Sequence, residues 1–164
     1  MAVPALRPLT FVALVGLLWW SMAWAHDYTL GNLTIEHLWA RTTPGHAKTG
    51  AVYVTLAIQG EADRLIAVSS PVAERAEIHT HLIEGDIVKM RRLEVVEIRP
   101  GEPTVLRPGG HHIMLVGLHM QLEEGQSFPL TLTFARSGLI TVDVVVERPG
   151  AREPDQKMEH DHNS

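Results

Sequence analysis

Short runs of alternating apolar and polar residues, separated by turn-forming residues, fill the chain from residue 33 to residue 147. In Ala51–Ile58, for example, Val52, Val54 and Leu56 share one face, as the side chains of a β-strand do. No stretch of this region shows a long apolar repeat of 3.6 residues, the period of an amphipathic helix. About seven to nine short strands with frequent turns are typical of an antiparallel sandwich or barrel. The sequence therefore predicts an all-β domain.

The alternation also predicts where the strands begin and end. Glu84-Gly85-Asp86 separates two of them and predicts a hairpin turn, and Pro71–Ala76 fits a single helical turn. The predicted strands are Leu33–Arg41, Ala51–Ile58, Arg64–Val68, Ala76–Ile83, Ile87–Glu97, Thr104–Leu106, His112–Val116, Phe128–Phe134 and Leu139–Glu147.

The N-terminal residues have the features of an export signal. Arg7 precedes an apolar run, Phe11–Trp20, and Ala23-Trp24-Ala25 then has the small residues of a signal-peptidase site. The run is shorter than the roughly 20 apolar residues of a membrane helix. We therefore expect residues 1–25 to be a cleaved signal peptide that directs the protein to the periplasm.

The exported part is expected to comprise one β domain, residues 26–148, and a polar tail. Residues 149–164 are rich in Pro, Glu, Lys and Asp and lack a core pattern, which predicts disorder. Without Arg7, the 14 basic residues become 13 against 19 acidic ones, a formal charge of −6. This charge argues against nucleic acid or an anionic membrane as the partner, because both attract basic surfaces.

The chain has no cysteine but ten histidines, all of which follow residue 25. Imidazole nitrogen and thioether sulfur suit the soft ion Cu(I), and methionine supplies sulfur without forming disulfides in an oxidising compartment. Blue-copper electron transfer is excluded, because it needs a cysteine thiolate. Four residues at spacings compatible with strands are candidate copper ligands: His79, Met90, His112 and Met114.

The predicted strands bring these candidates together in pairs. His112 and Met114 are two residues apart, so both side chains point to one face. His79 and Met90 lie on the two arms of the predicted hairpin. A loop of residues 84 and 85 places His79 opposite Met90, whereas a loop of residues 85 and 86 places His81 there and makes His79 its diagonal neighbour. Both registers bring an imidazole close to the sulfur, and the sequence does not choose between them.

The spacing of the four residues resembles the motif of the periplasmic copper chaperones called PCu(A)C. In that family a His is followed after ten residues by a Met, and after twenty-one more by His-x-Met, which is the arrangement of His79, Met90 and His112-Ile113-Met114 here. The surroundings are similar as well, in Glu77-Ile78-His79, Lys89-Met90-Arg91 and Pro108–Leu115, and the likeness extends from about Leu33 to Val146.

The resemblance implies a single cupredoxin-like Greek-key β-barrel or sandwich that carries Cu(I) at an exposed rim. It implies that His79, Met90, His112 and Met114 are the Cu(I) ligands. It further implies a monomeric, non-catalytic periplasmic chaperone without a small-molecule substrate, which delivers copper to the copper-bearing subunit of cytochrome c oxidase or to a Sco-type protein.

Other donors are secondary candidates for copper, including Cu(II). His81 and His111 are spare imidazoles beside the motif, and some members of the family carry a copper-binding tail that Met158, His160 and His162 resemble. His26, the expected mature N-terminus, could chelate Cu(II) with its amine and its imidazole.

One other copper function remains open, and enzymatic functions are disfavoured. A copper-buffering or resistance protein would use the same ligands, so the sequence does not separate it from a chaperone. A copper monooxygenase built on His26 would need an aromatic substrate surface, which the few aromatic residues of the exported part do not provide. Serine-hydrolase, nucleotide-binding and zinc-protease motifs are absent from the sequence, so we interpret the chain as a protein other than an enzyme.

Overall fold

The computed structural model describes residues 27–85 and 87–149. Over these residues the chain forms eleven strands and no helix, hence none long and apolar enough to cross a membrane. The strands are β1 (Tyr28–Leu30), β2 (Leu33–Arg41), β3 (Thr49–Ile58), β4 (Asp63–Ser69), β5 (Ala73–Glu84), β6 (Ile87–Leu93), β7 (Val96–Ile98), β8 (Thr104–Leu106), β9 (His112–Leu118), β10 (Ser127–Phe134) and β11 (Gly138–Glu147).

All eleven strands belong to one hydrogen-bonded sheet, whose main order is β6-β5-β9-β3-β2-β11-β10-β4-β7. β1 pairs with β2 and β8 pairs with β3 at positions off this path. Every pairing is antiparallel except that of β11 with β2. Among the described residues no ladder joins β6 to β7, so the sheet is open at these two strands.

The period-two alternation builds the core. In β10, Phe128, Leu130, Leu132 and Phe134 are buried, and the residues between them are more exposed. The inner residues of the other strands join them in one apolar cluster. Burying each such side chain contributes about 1.5–3 kcal/mol, so this pattern determines which face of each strand points inward.

The predicted strands are confirmed, with two corrections. Ile87–Glu97 is not one strand, because the chain leaves β6 after Leu93 and then pairs as β7 with β4. Pro71–Ala76 forms no helical turn, because β5 already begins at Ala73 and pairs there with Leu118 of β9. Residues 1–25, His26, residue 86 and residues 150–164 lie outside the described part of the chain, and the predicted signal peptide and tail lie with them.

One glycine shapes the end of β9. Gly117 has a φ of +71°, and its amide and that of Leu118 both donate to the Lys48 carbonyl at 2.8 and 3.0 Å. The left-handed conformation is strained for residues that carry a Cβ atom, and a Cβ at this position would lie 2.6 Å from Glu74 Cδ. Glycine thus allows both amides to reach one carbonyl at the end of β9, where Leu118 still pairs with Ala73 of β5.

Candidate metal centre

The four motif residues lie on the outer face of three neighbouring strands, β6, β5 and β9. His79 of β5 lies opposite His112 of β9. Met90 lies on β6, opposite His81 of β5. Met114 follows His112 by two residues and therefore shares its face. Residues that are up to 35 positions apart in the sequence thus meet on one surface.

The hairpin between β5 and β6 adopts the second of the two predicted registers. Glu84 pairs with Ile87, so the loop has two residues. His81 therefore faces Met90 directly, and His79 is the diagonal neighbour of Met90. Directly opposed Cβ atoms are about 4.5–5.5 Å apart and diagonal positions about 7–8 Å, within reach of long side chains.

An open cleft of about 310 Å³ lies over this face. Its walls are the segment that follows β2, the outer face of β3, the turn before β9 and the hairpin. The burial of the donors is graded, since His112 is 5% exposed, Met114 is half-buried and Met90 is 50% exposed. The lining residues are Arg41, Thr42, Thr43, Pro44, Thr49, Gly50, Ala51, Tyr53, His81, Met90, Gly109, His112 and Met114.

His79 is held by a carboxylate on its own strand. Its Nε2 lies 2.9 Å from Glu77 Oε2, and because an ionised carboxylate only accepts hydrogen bonds, Nε2 carries the proton. The side chain of His79 is 14% exposed. Its Nδ1 is buried and has no hydrogen-bond partner among the described residues. A buried nitrogen without a partner is unfavourable by about 1–3 kcal/mol, so a bound metal ion would relieve this cost.

Glu77 is the residue of this site whose role the sequence analysis missed. The hydrogen bond from His79 lowers the pKa of the Glu77 carboxyl, and Arg92 and Arg75 lower the pKa further. The two guanidinium groups lie 3.6 and 3.4 Å from Oε1. A glutamate two residues before a candidate ligand on a strand shares its face, and this spacing could have identified Glu77 in the sequence.

His112 is oriented by a backbone carbonyl, whereas His79 is oriented by a carboxylate. Its Nδ1 donates to the Gly110 carbonyl at 3.0 Å, which leaves Nε2 with the lone pair. Burial lowers the pKa of His112 below its ordinary value, and the nearby histidines His81, His79 and His111 lower it further, against the opposing effect of the Gly110 hydrogen bond. The imidazole is therefore neutral at pH 7 and able to bind a metal ion without first losing a proton.

The other candidates are placed as follows. His81 is half-buried and lines the cleft, and its ring centroid is 5.0 Å from that of His112. His111 is exposed and precedes β9. His26, Met158, His160 and His162 lie outside the described residues. Within residues 27–85 and 87–149 no group of three or more His, Cys, Asp or Glu side chains could hold a metal ion, so a site here depends on the two thioethers.

Comparison with known proteins supplies a family and several structural relatives. The family model described as "Putative lipoprotein LpqE-like" matches residues 33–146. The protein called "Putative lipoprotein Lxx21020" of Leifsonia xyli subsp. xyli (strain CTCB07) is 31% identical over 84 residues, and the match spans about half, 51%, of each chain.

Solved structures similar to this chain include PCuAC domains and a protein called DR1885. The copper-bound PCuAC domain from PmoF2 has a TM-score of 0.66 and 27% identity, over 76% of this chain and 99% of that domain. The apo PCuAC domain from PmoF1 has a TM-score of 0.65 and 27% identity, over 76% of this chain and 100% of that domain. The Cu(I) form of DR1885 from Deinococcus radiodurans has a TM-score of 0.56 and 22% identity, over 68% of this chain and 76% of that protein. This likeness concerns the fold alone. The predicted all-β, cupredoxin-like fold is thereby confirmed.

Proposed function

The chain belongs to the LpqE-like family, and from that membership and the donors of its cleft we propose that it is an exported, non-catalytic copper chaperone. It binds Cu(I) through His79, Met90, His112 and Met114 and passes the ion to a copper protein. The observation that carries the proposal is that Met90, His112 and Met114 line one cleft and His79 lies opposite His112 on the neighbouring strand, in a chain without cysteine.

Relatives support copper as the cargo. One similar PCuAC domain is copper-bound, and the alignment with it covers 76% of this chain. The donor set fits Cu(I), because thioether and imidazole ligands are soft or intermediate, and no Asp or Glu among the described residues lines the cleft. The matching family and one relative are both described as "putative lipoprotein", which supports export and agrees with the signal peptide predicted for residues 1–25.

The gradient of exposure supports transfer rather than storage. His112 and His79 are largely buried, whereas Met90 is half exposed on the edge strand β6. An incoming ligand can therefore approach the metal from the Met90 side while the imidazoles still hold it. The recipient we propose is the copper-bearing subunit of cytochrome c oxidase, or a Sco-type protein that serves it.

Removal of one thioether tests the site. Met114→Ala is expected to lower the Cu(I) affinity by at least about a hundredfold, since a sulfur ligand is lost and Ala offers no replacement. Competition with a Cu(I) chelator under reducing conditions measures this affinity. Met120→Ala, which removes an exposed methionine outside the cleft, is the matched control. Equal affinity of both variants and the wild type would refute the ligand assignment.

The recipient requires an experiment in the cell. Loss of the gene at limiting copper is expected to lower cytochrome c oxidase activity, and added copper is expected to restore it. Normal oxidase activity together with greater sensitivity to copper would instead identify a buffering protein with the same ligands.

A further inference from the structure

The outer face of the hairpin and β9 carries one imidazole more than the four-ligand site uses. His79 and His81 are two residues apart on β5, so both side chains project from the same face. His112 on β9 is the third imidazole. All three lie beside the two thioethers, so either of the two β5 imidazoles is available as a ligand for a copper ion.

The strand register and the positions of the rings point to different histidines of β5 as the neighbour of His112. His79 is directly opposite His112 in the ladder, where cross-strand side chains are normally closest. Yet the ring centroids of His79 and His112 are 6.1 Å apart, and those of His81 and His112 only 5.0 Å apart. The hydrogen bond from His79 Nε2 to Glu77 accounts for the difference, because it holds the His79 ring toward the preceding part of β5.

His81, rather than His79, lies in the cleft. It lines the cleft together with Met90, His112 and Met114, and His79 is not part of that lining. His81 also faces Met90 directly in the hairpin. The cleft therefore contains a complete set of two imidazoles and two thioethers even without His79, whose buried Nδ1 has no hydrogen-bond partner in the described part of the chain.

The three imidazoles are not arranged as a metal site of their own. Among the described residues no three His, Cys, Asp or Glu side chains are placed to hold a single ion. Simultaneous binding of copper by all three is thus disfavoured, and exchange between two of them is the arrangement that the geometry supports.

We propose that His81 is a fifth copper donor, which alternates with His79 in completing the site formed by His112, Met90 and Met114. The exchange forms one Cu–N bond as another breaks and leaves the oxidation state of Cu(I) unchanged. His79 holds the ion in the inner position, and His81 holds it in the cleft, where a partner has access. This inference rests on the proposed function, because it concerns the same cargo and three of the same ligands.

Substitution of the two histidines, singly and together, tests the alternation. If either imidazole can complete the site, His79→Ala and His81→Ala each lower the Cu(I) affinity by less than about tenfold, and the double variant lowers it by more than about a hundredfold. Chelator competition measures the affinities, and X-ray absorption is expected to count two nitrogen and two sulfur neighbours in each single variant. His119→Ala, an exposed histidine outside the cleft, serves as the control.

The ring resonances give a second measurement that does not require a variant. Cu(I) is diamagnetic, so titration of the ¹⁵N-labelled wild type with Cu(I) is expected to shift the ring signals of both His79 and His81. A shift confined to His79, with wild-type affinity in His81→Ala, would overturn the alternation and leave the proposed function intact. If Met114→Ala binds Cu(I) as tightly as the wild type, the proposed function itself fails.

Discussion

The two motif histidines are fixed in opposite tautomers by their hydrogen bonds. Nε2–H of His79 donates to Glu77, and Nδ1–H of His112 donates to the Gly110 carbonyl. The nitrogens left for a metal are thus Nδ1 of His79 and Nε2 of His112. Hydrogen bonds of this kind orient a metal-binding imidazole and raise its basicity. Glu77 therefore acts on copper through His79, as a positioning residue.

Substitution of Glu77 tests this role. In the His81→Ala background, where only His79 can complete the site, Glu77→Ala removes the acceptor and is expected to lower the Cu(I) affinity by about 10–100-fold, because the His79 ring loses its orientation. The other variants of this series are made in the same background. Glu77→Gln retains an amide oxygen that accepts the hydrogen bond, so it is expected to keep most of the affinity. Chelator competition measures both, and ¹⁵N spectra of the His79 ring report the tautomer.

The control for this series is Glu84→Ala on the same strand. Glu84 is exposed and pairs with Lys89, so this substitution removes a similar charge without contact to a candidate ligand. An affinity of Glu77→Ala equal to that of Glu84→Ala would show that the Glu77 carboxylate acts only through its charge or not at all.

At the scale of elements, a buried carboxylate connects β4 to the turn between β10 and β11. Asp63 is 3% exposed and accepts hydrogen bonds from the amides of Arg64 and Arg136 at 2.7 and 2.9 Å and from that of Ser137 at 2.9 Å. Burial raises the pKa of Asp63, but the hydrogen bonds from Ser137, Arg64 and Arg136 outweigh burial and hold the pKa below its ordinary value. The turn is thus fastened by an ionised group.

The lowered pKa of Asp63 makes the stability of the fold depend on pH in a defined direction. The stabilisation is present above the unfolded pKa of about 3.9 and is lost as the pH falls through the lower folded pKa. Asp63→Asn places an amide donor against a backbone donor and is expected to lower the free energy of unfolding by about 1–3 kcal/mol at pH 7. Urea unfolding between pH 7 and pH 3 should show this difference shrinking below about pH 4.

Asp143→Asn is the comparison for this prediction, because Asp143 is exposed on β11. It should unfold like the wild type throughout the pH range. A difference between the wild type and Asp63→Asn that stays constant down to pH 3 would contradict the assignment of the pH-dependent stability to Asp63.

Strand positions could be predicted wherever one face of the strand is buried. Leu33–Arg41 and Thr104–Leu106 were predicted with their observed limits, because Gly, Pro and Asn residues lie close to their ends, although the alternation of Leu33–Arg41 breaks at the consecutive buried residues Leu38, Trp39 and Ala40. The hairpin register could not be predicted. Residues of β6 are exposed on both faces, so no buried face fixes the alignment, and either pair of turn residues would close the loop.

At the scale of the whole molecule, the site depends on which strands become neighbours. Between β6 and β9 the chain leaves this surface, pairs as β7 with β4 and as β8 with β3, and returns at His112. Residue spacing alone predicts that His112 and Met114 share a face, but not that β9 lies beside β5. The resemblance to a known motif indicated that contact in advance, whereas the hydrogen bond between His79 and Glu77 is visible only in the folded structure.

Because the donors come from three strands of the sheet, copper binding is expected to stabilise the fold as a whole. The unfolded chain separates Met90 from Met114 by the whole segment that contains β7 and β8, so it binds Cu(I) only through local pairs such as His112 and Met114. A ligand that binds the folded state alone stabilises it by about 4 kcal/mol when its free concentration is about 1,000 times Kd. Cu(I) should therefore raise the midpoint of thermal unfolding, in anaerobic buffer with a reductant.

Two variants distinguish stabilisation by copper bound at the cleft from stabilisation by copper bound elsewhere on the protein. In Met114→Ala the rise with Cu(I) should fall to about a third or less of that of the wild type, because a hundredfold loss of affinity leaves about 1.4 kcal/mol of stabilisation at the same free Cu(I). In Asp63→Asn the starting midpoint should be lower but the rise with Cu(I) should equal that of the wild type, because β4 and the Asp63 contacts lie apart from the cleft. An equal rise in Met114→Ala and the wild type would mean that copper stabilises the protein from elsewhere in the chain.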